Sequence, residues 1–276
     1  MTITLASKRY TLLAYAGTLD SRYPDGHPWS TANRLADSFE ENSLLAAPAP
    51  FDATADWSAP SNDVTIQTTY AKTGTRSKRF RYPVGTSTAE QRFTYATTAE
   101  LWASWWLRVP DNYTHSSVPA LANNKLFAFW MDDYSSAGDG STFSMEMRSD
   151  GGGSSYWYVK LSAGRYSVAG SDLGNSRFIT VPDDRGRWMQ IVVNCKPETS
   201  EDASDGRVRV WRKWDGDSSF TAVYDYQDRL IRVPAAGPYG FERGYLMGWA
   251  NGTYVEETDF YIDDFEIADF DAFGVT

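Results

Sequence analysis

Carboxylates gather at two places far apart in this chain: Asp37, Glu40 and Glu41 near its start, and Asp259, Asp263 and Asp264 near its end. Oxygen ligands of this kind suit Ca2+. If the first and last strands of one β-sandwich are neighbours, Glu40 and Asp263 would hold such an ion together with backbone carbonyls. The competing role for Asp263 is to accept backbone amides while Glu40 sits in water. Alternation along residues 261–267 puts Tyr261, Asp263, Phe265 and Ile267 on one face, where an aspartate among apolar neighbours needs a partner. A third acidic stretch, Asp132 to Gly140, has oxygen donors and glycine turns but no closing glutamate at EF-hand spacing, and reads as a solvated loop.

The second chemistry is aromatic and cationic. Sugar rings present apolar C–H faces that stack on Trp and Tyr, while polar side chains take their hydroxyls. The chain holds 11 Trp and 17 Tyr, more than one core needs. Most of these tryptophans fill the interior. In Tyr156-Trp157-Tyr158 successive side chains point to opposite faces, so one set must leave the core unless both faces are covered. Trp130, Arg148, Tyr156, Tyr158 and Lys160 are therefore the candidates for a face that binds carbohydrate.

The totals bound what else is possible. A chain of 276 residues with a hydrophobic fraction of 42% can bury a sizeable core as one all-β unit. A net charge of −10 repels a phosphate backbone, which argues against nucleic acid as a partner. No run of 18 or more apolar residues is present, so no membrane insertion is expected. Residues 1–9 lack a long apolar stretch and form no recognisable secretory signal, so the expectation is a cytoplasmic protein or one that leaves the cell by another route, such as on the surface of a virion released by lysis. Cys195 is the single cysteine and lies in a strand-like run, where it reads as a small buried residue, not a reactive thiol.

These side chains must be positioned by strands. Short aromatic and β-branched runs recur at 64–70, 78–82, 101–109, 125–131, 143–148, 156–161, 188–195, 208–214, 245–249 and 260–267. Each is bounded by Gly, Pro, Asn, Asp or Ser. No sustained 3.6-residue period is present. The pattern predicts a two-sheet jelly roll over residues 36–276. Residues 1–35 are too few for a core and contain the turn signal Tyr23-Pro24-Asp25-Gly26. They read as an extended N-terminal arm that docks on the body or on another chain.

Taken together, Asp37-Ser38-Phe39-Glu40, Trp57, Gly74 to Phe80, Leu101 to Asp111, Arg187 to Ile191, Asp205 to Trp211 and Tyr261 to Phe265 resemble the concanavalin A-like lectin/glucanase superfamily. The opening segments look like those of its carbohydrate-binding modules, and the middle looks like its heparin-lyase-like polysaccharide lyases. The resemblance implies a concanavalin A-like β-sandwich, with a structural Ca2+ near the Glu40 and Asp263 segments. Lyases of this group use a Tyr with a His or Gln, and an Arg or Asn that neutralises the substrate carboxylate. Here the only histidines are His27 and His115, and the strand at 125–131 has none. A lyase site would draw on Tyr156, Tyr158, Arg92, Lys125 and Arg148, a tyrosine taking the α-proton of a uronate while cations hold its carboxylate. Glu146 is a strand-borne acid, but the E-x-D-x-x-E signature of glucanases is absent.

The expectation that follows is a non-catalytic carbohydrate-binding or surface-display sandwich, with a polysaccharide or cell-surface glycan as partner. It would suit a phage virion protein that meets other virion proteins through residues 1–35. The alternatives are a polysaccharide lyase acting by β-elimination, and a purely structural virion protein that binds no glycan.

Overall fold

A computed structural model describes residues 33–40, 44, 56–58, 60–61, 63–114, 123–131, 142–149, 154–162, 172–173, 177–200, 203–229 and 240–275. These residues form sixteen strands and no helix. In chain order they are β1 (Asn33–Asp37), β2 (Asp56–Trp57), β3 (Val64–Gln67), β4 (Ser77–Tyr82), β5 (Thr88–Thr98), β6 (Leu101–Arg108), β7 (Asn123–Trp130) and β8 (Thr142–Ser149). There follow β9 (Ser154–Ser162), β10 (Asp172–Leu173), β11 (Arg177–Thr180), β12 (Trp188–Lys196), β13 (Gly206–Trp214), β14 (Thr221–Arg229), β15 (Phe241–Trp249) and β16 (Thr258–Ala268).

Two antiparallel sheets result. Sheet A runs β14-β13-β12-β6-β16-β4-β3, with β1 also paired to β16. Sheet B runs β10-β9-β8-β7-β15-β5-β2, with β11 also paired to β9. This is the expected all-β, concanavalin A-like sandwich. The chain's opening and closing acidic segments are neighbours, as the sequence suggested: Asp37 stands opposite Phe265. The boundary drawn at residue 35 falls inside β1. Residues 1–32, and with them most of the proposed arm and His27, lie outside the described residues, as do His115 and the acidic stretch 132–140.

The core lies between the sheets because both inner faces alternate apolar residues. Trp105 of sheet A meets Phe127 of sheet B edge-on at 4.8 Å, and Phe265 of sheet A meets Phe93 of sheet B at 5.0 Å. Trp57 of β2 sits among Phe39, just past β1, Phe93 of β5 and Phe265 of β16. Cys195 is fully buried in this core, and burial pushes its thiol well above the ordinary value. Central β6 is buried on both faces. Its outward Trp102 stacks on Trp211 at 5.7 Å and 13°, and Phe270, Phe273 and Val275 pack over that pair. Asp271 pins this covering segment by accepting the N–H groups of Phe273, Gly274 and Val275.

One predicted alternation fails. Tyr261, Asp263, Phe265 and Ile267 do not share a face, because β16 bulges between Asp263 and Glu266, with Asp264 at φ 48°. The extra residue shifts the phase. Tyr261 pairs with Arg108 outside the sandwich, whereas Phe265 and Ile267 enter the core.

Candidate functional site

The outward face of sheet B gathers most of the sequence's candidates. Side chains directly opposite across an antiparallel pair share a face. In β5, Ala89, Phe93 and Tyr95 point into the core, which leaves Thr88, Glu90, Arg92 and Thr94 outward. Arg92 pairs with Tyr245 of β15, Tyr245 with Ala128 of β7, Ala128 with Ser144 of β8, and Ser144 with Lys160 of β9. A second row runs Thr94, Arg243, Trp130, Thr142. A third runs Lys125, Glu146, Tyr158, and Arg148 pairs with Tyr156. Thus Arg92, Lys125, Trp130, Arg148, Tyr156, Tyr158 and Lys160 all fall at positions on one face of one sheet. The register of β7 survives a bulge between Lys125 and Phe127, which keeps Lys125 outward while Phe127 turns inward.

Trp130 and Tyr245 form the floor of this face. Their rings lie 5.7 Å apart and both are buried, with Ala128 of β7 packed in the same cluster. Arg92 places its guanidinium carbon 5.9 Å from the Trp130 ring centroid, a cation–π contact, and its Nε donates to Glu90 at 2.7 Å. Arg148 reaches the buried Glu146 carboxylate at 3.4 Å, and Arg243 pairs with Glu242 at 2.6 Å. Gly244 lets this happen: a Cβ there would fall 2.4 Å from the Ala128 carbonyl and 2.7 Å from the Phe93 ring. Trp130 is therefore a packed floor and not an open stacking surface. Tyr245 and Arg243 were missed from sequence; the signal was their alternation around Gly244 in Phe241-Glu242-Arg243-Gly244-Tyr245.

Glu40 and Asp263 come to the same loop, residues 72–76, but they meet its N–H groups. Glu40 accepts from the amides of Thr75 and Arg76 and from the Thr75 hydroxyl. Asp263 accepts from the amides of Lys72, Thr73 and Asp264. Burial, and then the Asp264 charge, push the Asp263 carboxyl well above the usual carboxylate range. Amide hydrogens aimed at both carboxylates are the wrong polarity for a shared cation. No group of three or more metal-ligating side chains occurs among the described residues. The two acids thus do not fit a Ca2+ centre and act as anchors for the loop. Gly74 follows from this: at φ 58°, any Cβ would run into the Glu40 carboxylate.

Beside this corner, Lys78 of β4 points into the core. It is fully buried, its Nζ lies 3.5 Å from the Trp57 ring centroid and 4.3 Å from that of Phe39, and no hydrogen-bond partner meets it. Asp37, the charged group acting on it, is bound to the Trp57 Nε1 and the Phe39 amide. Burial lowers the Lys78 ammonium to about 7, against the pull of Asp37.

The outward side of sheet A carries a shallow cavity of about 170 Å³ lined by Tyr70, Arg108, Asp111, Glu257, Asp259 and Tyr261, among others. Its charges are paired internally. Arg108 grips Asp111 through three hydrogen bonds and stacks on Tyr70 at 3.6 Å, and Arg81 holds Asp259. Arg108 lowers the Asp111 carboxyl, while burial and Asp259 push Tyr261 up to about 12. This network is self-satisfied; on the face of sheet B, Arg92, Arg148 and Arg243 are likewise paired, with Glu90, Glu146 and Glu242.

Comparison with solved structures fits this architecture. Alginate lyase Aly36B superposes with a TM-score of 0.58 at 15% identity, covering 86% of this chain and 96% of that one. The marine PL-14 alginate lyase from Aplysia kurodai gives 0.55 at 12% identity, covering 76% and 89%. The binding domain of botulinum neurotoxin DC, solved with rat synaptotagmin II, gives 0.52 at 11% identity, covering 87% of this chain and 49% of that one. At these identities the likeness establishes the fold. No family model and no curated relative matches the chain.

Proposed function

We propose that the chain acts on an anionic polysaccharide of the alginate kind, cleaving it by β-elimination on the outward face of sheet B. This moves the lyase ahead of the non-catalytic binder that the sequence favoured. One juxtaposition carries the reading: Arg92, Lys125, Arg148 and Arg243 stand on the face whose floor is Tyr245 and Trp130. A polyuronate bears a carboxylate on each ring, and cations that neutralise it make the neighbouring C–H more acidic. A positioned tyrosine then takes that proton, the electron pair forms a carbon–carbon double bond, and the β-oxygen leaves, taking a proton from an acid.

The lyase neighbours support this choice. A variant of Aly36B with a lysine and a tyrosine replaced by alanine was solved with an alginate tetrasaccharide. The face here supplies the same residue types, Lys125 and Lys160 with Tyr156, Tyr158 and Tyr245 at face positions. The test is incubation with alginate, heparin and pectin while following the absorbance of unsaturated uronate. Alginate should give a rising signal, and silence across the panel removes the lyase reading.

A binding module without chemistry is the second reading. The absence of a histidine from β7, whose sequence is Asn123-Asn124-Lys125-Leu126-Phe127-Ala128-Phe129-Trp130, favours it. A glycan array that shows retention without turnover would select it. Placement on a virion rests on the sequence alone, and capsid or tail genes beside this one would test it.

A further inference from the structure

We infer that Trp249 is a stacking platform for a further sugar ring, at the end of the face that carries the proposed chemistry; this rests on the polysaccharide reading above. Trp249 is 50% exposed, the only exposed tryptophan among the described side chains. It ends β15 opposite Thr88, which begins the outward series Thr88, Glu90, Arg92. Between Trp249 and Tyr245 the alternation is interrupted. Met247, at φ 58°, turns into the core, and Gly248, at φ 132°, lies against the Tyr245 ring and Glu90. Four residue steps lead from Tyr245 to Trp249, about 13 Å along the strand, which sets Trp249 a few sugar rings away from the Arg92–Tyr245 row.

The backbone beneath it is fixed on both sides. The buried Tyr82 hydroxyl donates to the Gly248 carbonyl at 2.8 Å, the Ala250 amide donates to Ser87 at 2.7 Å, and Ala250 bridges to Asn124. A large aromatic ring held on a rigid strand end and left open to water is preorganised for a ligand. The two other exposed large apolar residues among those described, Val84 and Val255, sit in the β4–β5 and β15–β16 connections at this same end. The occupant that fits is the C–H face of a sugar ring, because Trp249 ends the strand that carries Tyr245 on the face suited to polysaccharide, and one indole ring is too small for a protein partner.

Trp249→Ala and Trp249→Tyr, each checked for an unchanged thermal midpoint, test this with sodium alginate and an alginate trisaccharide as probes. Trp249→Ala should raise KM for the polymer roughly 3- to 10-fold, the worth of one aromatic contact, and leave kcat and all trisaccharide parameters unchanged. Trp249→Tyr should recover most of the loss. If the wild type neither binds nor cleaves alginate, the polysaccharide reading falls and the platform with it. If the wild type acts on the polymer and Trp249→Ala acts equally well, only the platform falls. Equal losses on polymer and trisaccharide also overturn it, since a distal ring cannot affect the short substrate.

Discussion

Replacing Lys78 by Met should stabilise the protein, and the gain should depend on pH in a defined direction. Lys78 is fully buried between Trp57 and Phe39 with no hydrogen-bond partner, and burial lowers it from 10.5 to about 7. The unfolded chain therefore holds this proton up to pH 10.5, while the folded chain releases it near 7. Between those values the unfolded state binds more protons, so stability rises with pH. Below pH 7 both states are charged and the full cost of burying the ammonium is present. Lowering the ammonium from 10.5 to about 7 corresponds to about 5 kcal/mol, of which about 4 remains at pH 7. Met keeps the unbranched stem and the aromatic contact without the charge. Urea unfolding of both proteins from pH 6 to 10, followed by tryptophan fluorescence, isolates the effect. The gap should be widest at pH 6 and shrink by about 4 kcal/mol by pH 10. A gap that does not change with pH would mean that Lys78 keeps an ordinary proton affinity and that the aromatic cage is wrong.

Three other outcomes follow from the geometry. Gly244→Ala should cost at least about 2 kcal/mol in chemical denaturation, because its Cβ meets the Ala128 carbonyl and the Phe93 ring, neither of which can yield without disturbing the core. Asp111→Asn should destabilise by about 1 kcal/mol, since the Asp111 side chain is half exposed and Asn weakens, without abolishing, the grip on Arg108 and Tyr70. Because Arg108 lowers the Asp111 carboxyl, the wild-type advantage should hold at neutral pH and fade as pH falls below the ordinary carboxylate range, read as converging thermal midpoints. Adding Ca2+ or a chelator should leave the midpoint unmoved, since the Glu40 and Asp263 oxygens already accept loop amides; a clear rise with Ca2+ would restore the metal centre.

The strands with long apolar runs were legible in the sequence; those that carry polar residues for the other face were not. β6 and β12 read correctly because both of their faces are buried. β5 was passed over because Thr-Ala-Glu-Gln-Arg-Phe-Thr-Tyr mixes polar residues into both phases: Glu90 and Arg92 point outward, and even inward Gln91 serves the carbonyls of Leu44 and Ser58. β14 is an edge strand with an exposed polar side, which hides its period. The adjacency of β1 and β16 was inferred correctly from the acid clusters, but for a different physical reason: those acids tie down a loop through its amides, where the sequence suggested a cation. The functional face was partly legible, since long cationic and aromatic side chains at period two must leave the core somewhere. That Tyr245 joins Arg92 and Trp130 depends on β15 lying between β5 and β7, a long-range pairing that local pattern cannot reveal.

Hydrogen exchange with an alginate oligosaccharide bound tests most directly whether the outward face of sheet B receives the substrate. Slowed exchange should concentrate in β5, β7, β8 and β15, the strands that carry Arg92, Lys125, Trp130, Arg148 and Tyr245. Protection confined to β12 and β13 of sheet A, or to the Tyr70–Arg108 cavity, would contradict the account.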